Sequence, residues 1–210
     1  MTDLDEKAYY QGLVQRYAGQ PWWMFEVGKI AQAIARYGSP KRILDFGCSD
    51  GRMAAVLSDL LRPIEPLTRV YGIDVNAHAV EYGRRLYQDV RFLEYVHGDR
   101  IKICSRVFTA AAVLNTLEHV DDPEASLAEI RRVLERQGLL VMIGPDRWHY
   151  RLRGERPGDG DPTMQRLWSR SEICWLVQAA GFEVMLSQSF GRWAGPLPVH
   201  ARHLVVARSI

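Results

Sequence analysis

Short apolar runs alternate with amphipathic segments along most of this 210-residue chain. The apolar runs are typical of buried strands, and the segments between them carry apolar residues at helical spacing. We predict strands over 43–46, 70–73, 90–96, 108–114 and 139–143, and helices over 53–61, 77–87 and 124–134. Strands that alternate with helices in this way form a parallel sheet covered by helices on both faces.

The last third of the chain departs from this alternation. Ser171, followed by Glu172, predicts the start of a helix that Gly181 ends. Two strand-like segments, 182–187 and 204–207, follow with a glycine- and proline-containing turn but no helix between them, so we expect them to pair antiparallel. The predicted fold is therefore a doubly wound α/β fold with a mostly parallel seven-stranded sheet whose last strand is antiparallel.

The composition is that of an ordinary globular protein. Hydrophobic residues make up 47% of the chain and charged residues 25%, and a net charge of +2 gives no reason to expect a nucleic-acid partner. No apolar run approaches the ~18 residues of a membrane span. The three cysteines lie far apart without metal-ligand spacing, and the first residues are acidic without an apolar h-region, so we expect no signal peptide. We expect one cytoplasmic domain over 1–210 that uses neither a metal nor a membrane, with an N-terminal helical cap over 1–40.

The segment after the first predicted strand carries the strongest functional signal. The strand at 43–46 leads into Gly47-Cys48-Ser49-Asp50-Gly51, and a helix follows. Glycines let the backbone turn sharply and approach a ligand closely, and the helix start offers free N–H groups to an anion. Asp74, at the end of the second strand, can accept hydrogen bonds from ribose hydroxyls. The dinucleotide fingerprint fails here because it would need glycine in place of Ser49 and Arg52.

The pattern Asp45-x-Gly47-x-Ser49-x-Gly51 resembles the first motif of class I S-adenosylmethionine-dependent methyltransferases of the small-molecule, type 11/12-like kind. The resemblance covers about 42–208 and implies a Rossmann-like methyltransferase fold with S-adenosylmethionine as cofactor. It implies that Asp74 binds the ribose and that Asp99 accepts from the adenine amino group. The cofactor-binding residues it implies are Asp45, Gly47, Cys48, Ser49, Gly51, Asp74, Val75, Asp99, Arg100 and Asn115.

The sequence after the fourth predicted strand bears on the methyl acceptor. Residues 115–120 read Asn-Thr-Leu-Glu-His-Val, which resembles this segment in small-molecule methyltransferases. It differs from the Asn/Asp-Pro-Pro-aromatic signature of enzymes that methylate amide or adenine nitrogens. The resemblance therefore implies a small-molecule acceptor, with an oxygen, nitrogen or carbon nucleophile left open. His119 is the candidate general base. Alternatively, the Glu118–His119 pair caps and anchors the next helix.

Two segments are candidates for the walls of the acceptor pocket. Residues 17–25 are dense in aromatic side chains, which also suit core packing. Residues 144–168 are rich in proline, glycine, aspartate and arginine, and a loop of this length is predicted to be an active-site lid. Among its arginines are Arg147, Arg151, Arg153 and Arg156. They would suit an anionic or aromatic acceptor, or they form a solvated loop.

Two alternative functions remain open. Gly47-Cys48-Ser49-Asp50-Gly51 also fits the G-x-S-x-G elbow of serine hydrolases, with His200 or His203 following in chain order. Against this, few residues precede Ser49 and no HGGG-like oxyanion segment is present. The other alternative is a methyltransferase-like fold that only binds its ligand, and a broken cofactor motif would be its mark.

Overall fold

The computed structural model describes residues 21–95, 100–159, 161–194 and 197–210. The helices are α1 (Pro21–Tyr37), α2 (Arg52–Leu61), α3 (Ala77–Leu86), α4 (Pro123–Val133), α5 (Arg147–Leu152) and α6 (Arg170–Ala179), with a short 3₁₀ helix at Leu117–His119. The strands are β1 (Arg42–Phe46), β2 (Arg69–Ile73), β3 (Val90–Phe92), β4 (Phe108–Leu114), β5 (Leu134–Pro145), β6 (Phe182–Ala194) and β7 (Leu197–Ser209).

The seven strands form one sheet in the order β3-β2-β1-β4-β5-β7-β6. All neighbours pair parallel except β7, which is antiparallel to both β5 and β6. The predicted fold class is therefore confirmed, including the antiparallel last strand. The chain moves outward from β1 to β3 and then returns to place β4 beside β1. This reversal opens a crevice at the carboxyl ends of β1 and β4, where open α/β sheets bind their ligands.

Helices cover both faces of the sheet because alternate strand residues point to opposite sides. All seven residues of β4 are buried. Ala110, Ala112 and Leu114 belong to the core that α1 and α2 cover, whereas Ala111 and Val113 belong to the core beneath α4 and α6. In the described part of the chain, no helix is both long enough and apolar enough to cross a membrane.

Several predicted boundaries were wrong. The third strand ends at Phe92 rather than at residue 96, and the fifth begins at Leu134, directly after α4. Ser169, not Ser171, caps α6: its side chain accepts from the Glu172 N–H at 3.3 Å, while the Glu172 carboxylate accepts from the Ser169 N–H at 2.8 Å. This reciprocal pair is a capping box, whose Ser-x-x-Glu spacing is present in the sequence.

The 144–168 segment is more ordered than its composition indicated. It contains α5, which begins after Asp146, whose carboxylate accepts from the Trp148 N–H at 2.9 Å. Its two ends are joined, since the Arg147 N–H donates to the Trp168 carbonyl at 2.9 Å. Residues 1–20 of the predicted N-terminal cap lie outside the described residues, and α1 packs against the sheet.

Candidate functional site

A cavity of about 750 Å³ lies at the carboxyl ends of β1, β2 and β4. Its walls come from the glycine loop after β1, the turn after β2, the segment after β4 and the 144–168 segment. Trp23 of α1 also lines it, as expected for part of the aromatic 17–25 segment. The cavity has the size typical of small-molecule sites and lies where the strand order reverses.

The glycine loop is fixed by hydrogen bonds to β2 and by contact with Thr116. The N–H groups of Gly47 and Cys48 both donate to the Ile73 carbonyl at 2.9 Å. Gly47 has a φ of +78°, and a Cβ there would lie 2.2 Å from Thr116 Cγ2. Thr116 is itself held by its hydroxyl, which bonds the carbonyls of Phe46 and Leu114. Glycine at position 47 is therefore required by the loop's own packing.

Asp74 connects the glycine loop to the turn after β2. One carboxylate oxygen accepts from the Ser49 N–H at 2.8 Å and the other from the Asn76 N–H at 2.8 Å. Ser49 adopts a φ of +51°, which is uncommon for a residue other than glycine. Burial raises the pKa of Asp74, and the backbone N–H groups partly oppose this rise. Each carboxylate oxygen has a second lone pair, so Asp74 can still accept from a ligand hydroxyl.

Asp45 lies behind the glycine loop and does not line the cavity. It is fully buried, and its carboxylate oxygens lack well-formed hydrogen bonds among the described residues. Burial raises the pKa of its carboxyl group well above the ordinary value; Asp74 and Asp50 raise it further, whereas the Ala54 N–H lowers it. Asp45, Asp50 and Asp74 therefore form a group of neighbouring acids around the glycine loop.

His119 lines the cavity and is held by a hydrogen-bonded chain from the 144–168 segment. Its Nδ1 lies 3.0 Å from the Thr163 hydroxyl, which donates to the Asp161 carboxylate at 2.7 Å. A hydroxyl has one proton and a carboxylate cannot donate, so Nδ1 of His119 is the donor toward Thr163. In the neutral imidazole, this tautomer places the lone pair on Nε2, where a general base needs it.

A buried ionic group lies beside the cavity, and Asn115 and Arg202 of this group line it. Arg202 of β7 forms an ion pair with Glu26 of α1 at 2.9 Å, and Asn115 Nδ2 donates to Glu26 at 3.4 Å. Glu118 is only 3% exposed and also lines the cavity. Burial raises the pKa of Glu118, while His119 and Arg202 lower it. The Glu118–His119 pair does not cap the next helix, α4, because Asp122 is the residue that caps it.

The arginines of the 144–168 segment do not line the cavity, so the structure does not support the alternative in which they contact the acceptor. Arg147 pairs with Glu172 at 2.7 Å, Arg153 pairs with Glu155 at 2.7 Å, and the Arg151 guanidinium lies over the Trp148 ring. The charged residues of this segment that do line the cavity are Glu155, Asp159 and Asp161.

The end of this segment is tied to the 3₁₀ helix. The Gln165 N–H donates to the Glu118 carbonyl at 2.9 Å, and its side chain donates to the Asp121 carboxylate at 2.7 Å. The Arg166 guanidinium donates to the Asp121 carbonyl at 3.1 Å. That this segment acts as a lid stays a prediction. The part between α5 and Asp161 is the best candidate for the lid, because the end of the segment is tied to the 3₁₀ helix and to Asp121.

The structure brings most of the predicted cofactor residues together. Those that line the cavity are Gly47, Cys48, Ser49, Asp74, Val75 and Asn115. Gly51 lies at the start of α2 outside the lining, and Arg100 is exposed outside it. Asp99 lies outside the described residues.

Other cavity residues were not among the individually predicted site residues. They include Trp23, Thr116, Glu118, Tyr150, Thr163 and Arg202, of which all except Arg202 lie in segments for which the sequence predicted a role near the acceptor. Glu26 and Arg202 are separated by 176 positions in the sequence, so no local pattern links them. The sequence did offer a signal at Glu118, a carboxylate next to the candidate base.

A family model described as a methyltransferase domain matches residues 22–187, and the chain therefore belongs to this family. A relative from Mycolicibacterium smegmatis, described as a probable S-adenosylmethionine-dependent methyltransferase, is 26% identical over 188 residues, which cover 89% of this chain and 69% of that protein. An uncharacterized Mycobacterium tuberculosis protein is 29% identical over 86% of this chain and 59% of its own length. A transposon protein from Streptomyces fradiae is 37% identical over 49% of this chain, but the match spans only 30% of that protein.

Solved structures show the same fold at low sequence identity. A methyltransferase from Haloferax volcanii, solved with the Trm112 activator and described as putative, has a TM-score of 0.73 at 17% identity, with 96% of this chain and 94% of that chain covered. The 4+2 cyclase SpnF has a TM-score of 0.62 at 18% identity, with 86% and 80% covered. Because one of these neighbours is named as a cyclase, the fold alone does not specify the reaction.

The serine hydrolase interpretation loses support from both the family match and the structure. Among the described residues, no histidine hydrogen-bonds the Ser49 hydroxyl, and His203 does not line the cavity. The side chain of His200 is outside the described set. A hydrolase elbow needs its serine within hydrogen-bond reach of a base.

Proposed function

We propose that this protein transfers a methyl group from S-adenosylmethionine to a small-molecule acceptor. The observation that carries the proposal is the joint placement of the glycine loop and Asp74 on the wall of one cavity, next to His119. This cavity lies at the reversal of strand order, as a nucleoside-binding site in an open α/β sheet does. The family membership supports the same reading.

The residues present fit the cofactor. Asp74 has acceptor capacity left for ribose hydroxyls, and the backbone of Gly47 to Ser49 lines the adjacent wall. Asn115, on the same wall, keeps a buried Oδ1 for which no described residue supplies a donor. Bound S-adenosylmethionine supplies a methyl group that its positively charged sulfur has already activated for displacement.

The protein's own task is then to align the acceptor, exclude water and accept a proton where the nucleophile carries one. We assign the last role to His119, because the Asp161–Thr163 chain orients its ring and places the lone pair of the neutral imidazole on Nε2. Several residues of the 144–168 segment line the cavity, and we expect this segment to reduce the access of water to it. A binding module without catalysis would need none of this arrangement around His119.

The proposal is tested by incubating the purified protein with methyl-labelled S-adenosylmethionine and panels of amines, phenols, carboxylates and carbon acids. We expect transfer of label to at least one class, with stoichiometric release of S-adenosylhomocysteine. His119→Gln should then lower kcat by roughly 10²–10⁴-fold. The matched control is His78→Gln, on the exposed surface of α3. Cofactor binding without transfer to any class would favour the binding module instead.

A further inference from the structure

The charged groups around the cavity are mostly acidic. Six acids line it: Asp50, Asp74, Glu118, Glu155, Asp159 and Asp161. The lining contains two arginines, and each is close to an acid: Arg52 lies 3.4 Å from Asp50, and Arg202 lies 2.9 Å from Glu26. A cavity lined by one sign of charge attracts ligands of the opposite sign.

Glu118 distinguishes this site from a merely acidic surface. It is 3% exposed, and no described residue outside its own backbone donates a hydrogen bond to its carboxylate. Ionised carboxylates are rarely buried without a partner, because the lost hydration must be replaced by hydrogen bonds or an opposite charge. Two cations act on the Glu118 carboxylate, His119 when it is protonated and Arg202, and Arg202 also forms an ion pair with Glu26 at 2.9 Å. A ligand group in the cavity can supply the missing donor.

We propose that the acceptor carries a protonated amine, which the Glu118 carboxylate binds beside His119. This inference rests on the proposed function and specifies its substrate class. Glu118 and His119 are adjacent in the 3₁₀ helix, and both line the cavity. One group therefore holds the cationic nitrogen while its neighbour removes a proton from it. The acids of the 144–168 segment add to the negative potential along the outer wall.

The reaction balances with the groups present and the proposed methyl donor. A proton passes from the ammonium group to Nε2 of His119, which frees the nitrogen lone pair. That pair forms the new N–C bond while the C–S bond breaks and its electrons remain on sulfur. The acceptor leaves as an N-methylated ammonium ion, which keeps the positive charge that Glu118 binds. His119 then returns its proton to water.

The test compares three probes that share an aromatic skeleton and differ in charge: 2-phenylethylamine, 2-phenylethanol and 3-phenylpropanoate. Binding is measured by ligand-observed NMR and calorimetry on the full chain saturated with S-adenosylhomocysteine. We expect the amine to bind at least about tenfold more tightly than the other two. Glu118→Gln should remove this preference without weakening the alcohol. The matched control, Glu183→Gln on the exposed surface of β6, should leave the ranking unchanged.

Each outcome decides the inference. An amine that binds no better than the alcohol or the carboxylate overturns it, whether or not Glu118→Gln folds, because the ranking is measured on the unaltered protein. A preference that Glu118→Gln leaves intact in a folded variant would assign the recognition to another group and also overturns it. Absence of S-adenosylhomocysteine binding refutes the proposed function itself, so the two failures are distinguishable.

Discussion

Gly47→Ala tests whether the glycine loop is held in the conformation described. Gly47 combines a φ of +78° with a Cβ position 2.2 Å from Thr116 Cγ2 and 2.5 Å from its Oγ1. The left-handed backbone costs about 1–2 kcal/mol for alanine, and the overlap adds about 1–3 kcal/mol. Alanine also reduces the conformational freedom of the unfolded chain, and this offsets about 0.4–1 kcal/mol of the two costs. We expect a net loss of about 2–4 kcal/mol in the free energy of unfolding.

Gly154→Ala is the matched control. Gly154 has a φ of +71°, and nothing lies within 4 Å of its Cβ position, so only the backbone cost applies. We expect a loss of about 1 kcal/mol in urea unfolding followed by circular dichroism. Thr116→Ala in the Gly47→Ala background should recover part of the difference, because it removes the two closest of the three overlapping atoms and leaves Thr116 Cβ at 2.9 Å. Equal losses for Gly47→Ala and Gly154→Ala would refute the contact between the loop and Thr116.

Two further predictions concern histidines. Burial lowers the pKa of His203 to about 4, whereas the unfolded chain binds this proton near pH 6.5, so stability should fall by about 3 kcal/mol as the pH decreases from 6.5 to 4. Urea unfolding across this range should show that loss reduced in His203→Gln; an identical pH dependence in that variant would contradict the burial. Thr163→Val should lower kcat more than it raises KM and shift the pH–rate profile, and Thr163→Ser should restore both, because the hydroxyl fixes the His119 tautomer. A profile unchanged by Thr163→Val would show that the hydroxyl has no such role.

The sequence predicted the central strands well because their burial leaves a continuous apolar signal. The predicted strand at 108–114 coincides with β4, in which every residue is buried. Elements that depend on tertiary contacts were less predictable. The short helix α5 lacks apolar periodicity and depends on the Asp146 cap and the bond from Arg147 to the Trp168 carbonyl.

Charge placement in the candidate site was the part that sequence reasoning could not supply. Arg147, Arg151, Arg153 and Arg156 of the 144–168 segment would suit an anionic or aromatic acceptor, but a sequence does not show which side chains face a cavity. The structure pairs Arg147 with Glu172 and leaves Asp159 and Asp161 in the cavity lining. The surroundings of Glu118 come from distant parts of the sequence, since it lies near Gly144 of β5 and its carboxylate is influenced by Glu26 of α1 and Arg202 of β7.

The most direct test of the account is a calorimetric titration of the purified chain with S-adenosylmethionine, S-adenosylhomocysteine and NADH. The arrangement of Asp74 and the glycine loop predicts binding of the first two with roughly micromolar affinity, about 8 kcal/mol, and no binding of NADH. Asp74→Ala, checked for folding by circular dichroism, should weaken the binding by about 1.5–3 kcal/mol. A folded protein that gave no heat and no thermal shift with either S-adenosyl ligand would contradict the central claim.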